Sequence, residues 1–246
     1  MRQFRADLHI HTILSPCADL EMSPKNIVKR AKEHNLDIIG ITDHNSTRQC
    51  GIVKKEAQKE GIAVFTGVEV TTQEEIHCLA FFENEIELLK FQDYIDQYLP
   101  DFKNNTDLFG YQIVVDENED IVFEEDRLLI SALNADIDTI ESKVHELNGV
   151  FIPAHANKAS NSLISQLGII PRNLKADAYE ITKQITEEGF ISQNRLNPET
   201  TLIRNSDAHF LDQIAAITTI YEMESPDLAE FKLALNGLNG RKVVLQ

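Results

Sequence analysis

Apolar positions along the chain alternate between short strand-like runs and helically spaced stretches. Phe4 to Ile10 reads as a first strand. Ser23-Pro24 then opens a helix, with Ser as N-cap and Pro in the first turn, and Ile27, Val28 and Ala31 form its apolar side. Leu36 to Ile41 is almost wholly apolar, as expected of a strand covered on both faces. A helix over about 48–59 closes at Gly61; Ala63 to Val70 and Ile76 to Phe82 are two further strands. Glu85 to Tyr98 returns to helical spacing. Residues 99–131 break the rhythm: Tyr111 to Val115 and Ile121 to Phe123 flank the acidic turn Asp116 to Asp120, which predicts an inserted β-hairpin. Alternation resumes with a helix near 136–148, a strand Val150 to Pro153 and a short helix near Leu163. Strands near Ala178 and over Thr201 to Asn205 precede a last helix at about 226–236. Serial β-α-β units predict parallel strands with right-handed crossovers, hence a barrel or an open doubly wound sheet.

The length of 246 residues suits one α/β barrel spanning 1–246, with an insertion at about 99–131. No apolar run approaches the roughly 18 residues of a membrane span, and the N-terminus has no apolar signal segment, so no membrane partner and a cytoplasmic location are expected. Three cysteines, Cys17, Cys50 and Cys78, show no paired spacing and argue against a disulfide framework. The formal charge of −17 predicts repulsion of phosphate backbones, which makes a long nucleic acid a poor partner. No protein partner is inferable.

The histidines carry the chemistry. His9 and His11 stand two apart at the end of the first strand, where period-two geometry puts both on one face. His44 ends the second strand, Glu69 the third, His77 belongs to the fourth, and His155 follows Ile152-Pro153-Ala154. Asp207 and His209 repeat the two-apart spacing after a late strand. If these strands are parallel, the groups meet on the face where barrel active sites are built. Six histidines and two carboxylates exceed the ligands of one ion, so a multinuclear site is expected, with zinc, iron or manganese suited to the donors. His34 and His145 lie late in helices and stay outside the set.

Taken in order, Asp7-Leu8-His9-Ile10-His11-Thr12, Thr42-Asp43-His44-Asn45, Gly67-Val68-Glu69, His77, Pro153-Ala154-His155 and Ser206-Asp207-Ala208-His209 resemble the motifs of the PHP (polymerase and histidinol phosphatase) family. The resemblance covers about residues 4–220. It implies a distorted, TIM-like (β/α)7 barrel with a small inserted β-hairpin, and a trinuclear site that hydrolyses phosphoesters with a metal-activated water. By position, His9, His11, Glu69 and Asp207 would hold the first metal. Glu69 would bridge to a second held by His77 and His155, and His44, His209 and Asp19 would hold a third. Two or three divalent ions (Zn, Mn or Fe) are thus implied, and no Ser or Cys nucleophile is required. Lys158, three residues after His155, and Arg204 are candidates for substrate phosphate.

The expected activity is that of a phosphatase or phosphodiesterase acting on a small phosphorylated metabolite or nucleotide. The alternatives are a PHP-type nuclease acting on single-stranded nucleic acid, a non-catalytic metal-binding module, and a metal-dependent amidohydrolase. The last also places His-x-His on its first strand, but expects a bridging lysine.

Overall fold

The computed structural model describes residues 1–245. In chain order the elements begin β1 (Arg2–Ile10), α1 (Pro24–Glu33), β2 (Ile38–Ile41), α2 (Cys50–Lys59), β3 (Ala63–Thr71), β4 (His77–Phe82) and α3 (Glu85–Tyr98). The insertion supplies α4 (Thr106–Phe109), β5 (Ile113–Val115) and β6 (Ile121–Glu124). The chain continues through α5 (Ile137–Glu146), β7 (Val150–Pro153), α6 (Leu163–Leu167), β8 (Tyr179–Glu180), α7 (Glu187–Asn194), β9 (Leu202–Ile203), β10 (Thr219–Met223), α8 (Leu228–Leu235) and β11 (Lys242–Leu245).

The main sheet runs β11-β10-β1-β2-β3-β4-β7, and β8 pairs with β9. Backbone bonds from Asp177 N–H to Phe151 O (2.9 Å) and Ala156 N–H to Glu180 O (2.7 Å) join β7 to β8. Beyond β9, Ala208 N–H reaches His9 O (3.0 Å) and His11 N–H reaches Ala208 O (2.9 Å), which brings the ring back to β1. Strands β1, β2, β3, β4, β7, β8 and β9 therefore enclose a distorted, TIM-like α/β barrel. Its interior holds Phe4, Ala6, Leu8, Phe81, Ile152 and Tyr221, and α8 packs Phe231 against Phe65 and Tyr221, with ring centroids 5.1 Å apart in both pairs.

Two departures from the sequence reading have clear causes. Strand β4 runs antiparallel to β3 and β7, not parallel. Residues 72–76 are too short for a crossover, so the pair closes as a hairpin with Glu75 at φ +62°. The reversal puts His77 at the start of its strand and still at the end where its neighbours finish. Strands β10 and β11 and helix α7 were not anticipated. β10 extends the sheet antiparallel to the first half of β1, pairing Arg2 to Ala6 with Thr219 to Met223.

A β-bulge in β1 aims the histidines. Asp7 pairs with Ile39 and Ile10 with Ile41, so Leu8 and His9 together face Gly40. Phe4, Ala6 and Leu8 point into the barrel, but beyond the bulge Ile10 joins the outer cluster with Ile27 and Val53. The odd positions 9 and 11 thereby turn into the barrel mouth. A Cβ on Gly40 would sit 2.4 Å from Leu8 O, backbone that cannot move without disturbing the bulge. Gly40→Ala is expected to destabilise the fold by about 1–3 kcal/mol in a denaturant titration. An unchanged midpoint would show that the bulge is not held by this close approach.

The insertion lies against the loops of the same face. Ile113 N–H points to Ile13 O (3.5 Å), and Val115 exchanges hydrogen bonds with the Gln49 side chain (2.9 and 3.1 Å). Gly110, at φ +89°, packs so closely on Pro16 O that a Cβ there would lie 2.5 Å from it. Asn45 donates to Leu129 O and Ser131 O and accepts from Thr71 N–H, tying the end of the insertion to β3.

Candidate metal centre

Glu69 is fully buried at the end of β3, and five histidines surround its carboxylate. Oε1 lies 3.2 Å from His9 Nε2, 3.0 Å from His77 Nδ1 and 3.2 Å from His155 Nε2. Oε2 lies 3.4 Å from His11 Nε2 and 3.0 Å from His44 Nδ1. Asp207 Oδ1 adds contacts to His9 (3.4 Å), His11 (3.6 Å) and His209 Nδ1 (3.7 Å), and the rings of His11 and His209 stack at 4.1 Å.

Apart from the hydrogen bond between His77 Nδ1 and Glu69 Oε1, these donors converge without satisfying one another. His9 Nε2, His11 Nε2, His44 Nδ1, Glu69 Oε2 and both ring nitrogens of His155 are buried without a hydrogen-bond partner. Buried polar atoms are normally paired, so such a set aimed at shared points suits cations. Three groups have donor atoms close enough to hold an ion: His9, His11 and Glu69; His44, Glu69 and His77; and His11, His44 and His209. Glu69 belongs to two of them. Imidazole and carboxylate are the donors that zinc, iron and manganese take.

Electrostatics agree with that use. Burial pushes the Glu69 carboxyl up, but His77, His9 and His44 outweigh it and hold the group well below the usual carboxylate range. Burial likewise opposes ionisation of Asp207, and His9 and His11 hold it ionised. Burial lowers His44 to about 4 and His209 to about 3, so both are neutral near pH 7 and carry lone pairs for an ion.

Strain and a second layer of bonds hold the geometry. His155, Asp207 and Asn45 adopt positive φ of 29°, 55° and 44°, conformations that persist only where neighbours over-determine them. His155 N–H donates to Glu180 (2.7 Å), and Glu180 also takes His9 Nδ1 at 3.1 Å. His11 Nδ1 meets Ser15 Oγ (2.9 Å), which donates to Asp43 (2.8 Å). Asp43 also accepts Thr12 N–H and Oγ–H. Asp7 accepts from Ser206 and from Ala215 N–H, fixing the Asp207 loop; burial raises its carboxyl to about 6. Sequence reasoning passed over Glu180, Asp43, Ser15 and Asp7. The signal for Asp7 and Asp43 was a carboxylate inside an otherwise apolar strand end; Glu180, on a two-residue strand, gave no comparable mark.

The remaining candidates fall at different depths. Asp19 lies beside the site through its N–H to His209 O (2.9 Å), but its carboxylate accepts Glu21 N–H (2.8 Å) and is in none of the three groups. Lys158 reaches the mouth, with Nζ 2.9 Å from Asp207 Oδ2. Arg204 donates to Ile185 O (2.8 Å), between β8 and α7. Cys50 and Cys78 are buried and Cys17 is exposed. Among the described residues no helix is long and apolar enough to cross a membrane.

Residues 7–161 match the PHP domain family. The Bacillus subtilis protein YqxK is 26% identical over 275 residues, covering 99% of this chain and 65% of its own length. The 5′-3′ exoribonuclease Rnm of Salmonella typhimurium is 36% identical over 73 residues, which cover 29% of this chain and 24% of Rnm. Among solved structures, endonuclease Q of Pyrococcus furiosus, described as lesion-specific, superposes with a TM-score of 0.75 at 20% identity. That match covers 98% of this chain and 58% of endonuclease Q. The chain thus spans about two thirds or less of these longer relatives. Endonuclease Q has also been solved with a 27-mer duplex carrying an abasic lesion at its active site, at a TM-score of 0.73. This overturns the expectation that a long nucleic acid is a poor partner. The same fold seats a duplex, and net charge was the wrong quantity, because salt screens charges beyond roughly 8 Å and a strand responds to the local surface. The ordered motifs, the barrel and the match over residues 7–161 agree: this chain belongs to the PHP domain family.

Proposed function

We propose that this chain is a metal-dependent phosphoric ester hydrolase that cleaves phosphodiester bonds in nucleic acid. The observation that carries the hydrolytic reading is the Glu69 carboxylate set among five histidines, four of which bury a ring nitrogen that lacks a hydrogen-bond partner. The nucleic-acid reading is supported by the likeness to two nucleases, endonuclease Q in fold and Rnm in sequence.

In this reading His9, His11, Glu69 and Asp207 hold one ion, Glu69, His77 and His155 a second, and His44 and His209 a third, with Asp19 beside them. Divalent ions bound there supply charge neutralisation for the phosphate and an activated water near neutral pH. The protein's part is to hold that arrangement: the left-handed turns at His155 and Asp207, and the Ser15–Asp43 and Glu180 contacts, fix ring orientations before any ligand arrives. The Lys158 ammonium lies on Asp207 at the mouth, and in this reading it meets a substrate oxygen.

Turnover is expected to vanish in chelator and to return with manganese, iron or zinc. At matched phosphate concentration, a single-stranded oligonucleotide is expected to be cleaved faster than a mononucleotide is dephosphorylated. Activity that survives metal stripping would overturn the metal-dependent reading. Faster turnover of the mononucleotide would overturn the choice of polymer.

A further inference from the structure

The charge of this chain is segregated. Residues 1–60 hold ten Lys or Arg against eight Asp or Glu, whereas residues 61–246 hold 13 against 32. Seven of those first ten cations lie on α1 and α2: Lys25, Lys29, Arg30, Lys32, Lys54, Lys55 and Lys59. Lys25, Lys29 and Lys32 are exposed and follow i, i+4, i+7 spacing, one stripe along the solvent side of α1, while Ile27 and Ala31 are buried beneath. Arg30 pairs with Glu33 (3.2 Å) and Lys32 with Glu60 (3.5 Å), but among the described residues Lys25 and Lys29 enter no ion pair.

Helix α1, which carries this stripe, borders the loops of the metal centre. A groove of about 410 Å³ between α1 and α2 is lined by Lys25, Lys29, Lys32 and Lys59, with Glu33, Glu56 and Glu60 among them. A second hollow of about 270 Å³, lined by Lys29, Arg30, Glu33, Leu211 and Asp212, lies between α1 and the turn that follows His209. Arg30 Nε donates to Leu211 O (3.1 Å), and Asn26 Nδ2 donates to Glu21 O (3.0 Å) in the loop that also bonds His209 O. Lys29 and Glu33 line both hollows, so a lysine-bearing surface with interspersed carboxylates runs from the His209 loop down the outside of the barrel.

We infer that the outer face of α1, with the groove toward α2, is the surface on which a nucleic-acid strand lays the phosphates leading away from the bond cleaved at the Glu69 centre. This rests on the nucleic-acid reading above. Lysines act as point charges, without the planar fork that selects one geometry, and suit a backbone read independently of sequence. At physiological salt the carboxylates elsewhere are screened beyond roughly 8 Å, so the local excess on α1 and α2, seven cations against Glu33 and Glu56, decides.

The test compares wild-type protein with a K25Q/K29Q/K32Q variant and with a K175Q/K183Q/K242Q control that removes the same charge from other exposed positions. Binding of a short labelled single strand is followed in chelator across about 50–200 mM salt. Each lost phosphate contact lowers the slope of log K against log salt by about 0.7. The α1 variant is therefore expected to lose about 2 from the slope and at least about tenfold in affinity at the lowest salt, with the control within twofold of wild type. In metal, both variants should hydrolyse a small chromogenic phosphodiester at the wild-type rate. An unaltered slope in the α1 variant, an equal loss in the control, or equal wild-type affinity for poly-glutamate would overturn this inference. Wild-type protein that cleaves the strand while the α1 variant keeps its slope overturns it alone. Wild-type protein that neither binds nor cleaves the strand overturns the nucleic-acid reading, and this inference with it.

Discussion

Glu69→Gln is expected to remove most of the bound metal and to reduce phosphodiester turnover by a factor on the order of 10³, the scale reported for losing one electrostatic group at a reaction centre. The amide has nearly the carboxylate's shape, so the change is one of charge and donor pattern, not volume. It places an NH2 where an oxygen now faces imidazole nitrogens at 3.0 to 3.4 Å. It also removes the carboxylate shared by two of the three candidate ion groups. Those groups would then rest on imidazoles with Asp207 as the nearest anion, and two neighbouring dications would lose the negative charge between them. Far-UV circular dichroism should be unchanged, because the barrel's interior cluster lies below the site and does not include Glu69. Metal content by elemental analysis and kcat/KM on an oligonucleotide are the measurements. A variant with full metal content and full turnover would end the bridging role.

Much of this site was legible because the barrel turns distance along the chain into proximity at one rim. His9 and His11 could be paired from period two alone, and the motif order named Glu69, His155 and Asp207. The part that was hidden depended on tertiary detail. The alternation from Phe4 to His11 does not announce that a bulge at Leu8-His9 switches which positions face inward. Parallel crossovers were expected from β-α-β rhythm, yet the short Thr72–Ile76 link forces a hairpin, and His77 reaches the site from the opposite chain direction. Asp19 was named by its place after His-x-His, and its carboxylate lies beside the site with one oxygen accepting the Glu21 N–H. The net charge misled because a sum over 246 residues conceals where the cations stand. Glu180 was invisible for the converse reason: Tyr179-Glu180 is a two-residue strand whose role shows only once β8 lies between β7 and β9.

Replacing Glu180 is expected to weaken metal binding by about 10–100-fold without touching a ligand, the usual effect of losing the partner that orients a ligating histidine. Its carboxylate lies 3.1 and 3.3 Å from His9 Nδ1, accepts His155 N–H at 2.7 Å and accepts Asn205 Nδ2–H at 2.8 Å. Asn205 in turn accepts Leu8 N–H (2.8 Å), so one acidic side chain ties together β1, β7 and β9. Holding the proton of His9 on Nδ1 leaves Nε2 bare toward Glu69 and Asp207. In Glu180→Gln one oxygen must serve three donors, and the amide NH2 meets one of them head-on. A buried donor left unpaired costs about 1–3 kcal/mol, which should appear as a lower melting temperature of the metal-free protein. The pH dependence fixes the sign independently. Burial lowers His9, but Glu180, Glu69 and Asp207 outweigh it and hold its pKa well above the ordinary value, so protons compete with metal at His9. Removing the Glu180 charge lowers that pKa. Metal uptake by the variant should therefore be weaker than wild type at high pH, yet fall off at a lower pH as acid is added. Titrating zinc or manganese into both proteins at several pH values reads both effects, and a Gln variant with wild-type affinity and an unshifted pH profile would show that Glu180 braces the strands without orienting His9.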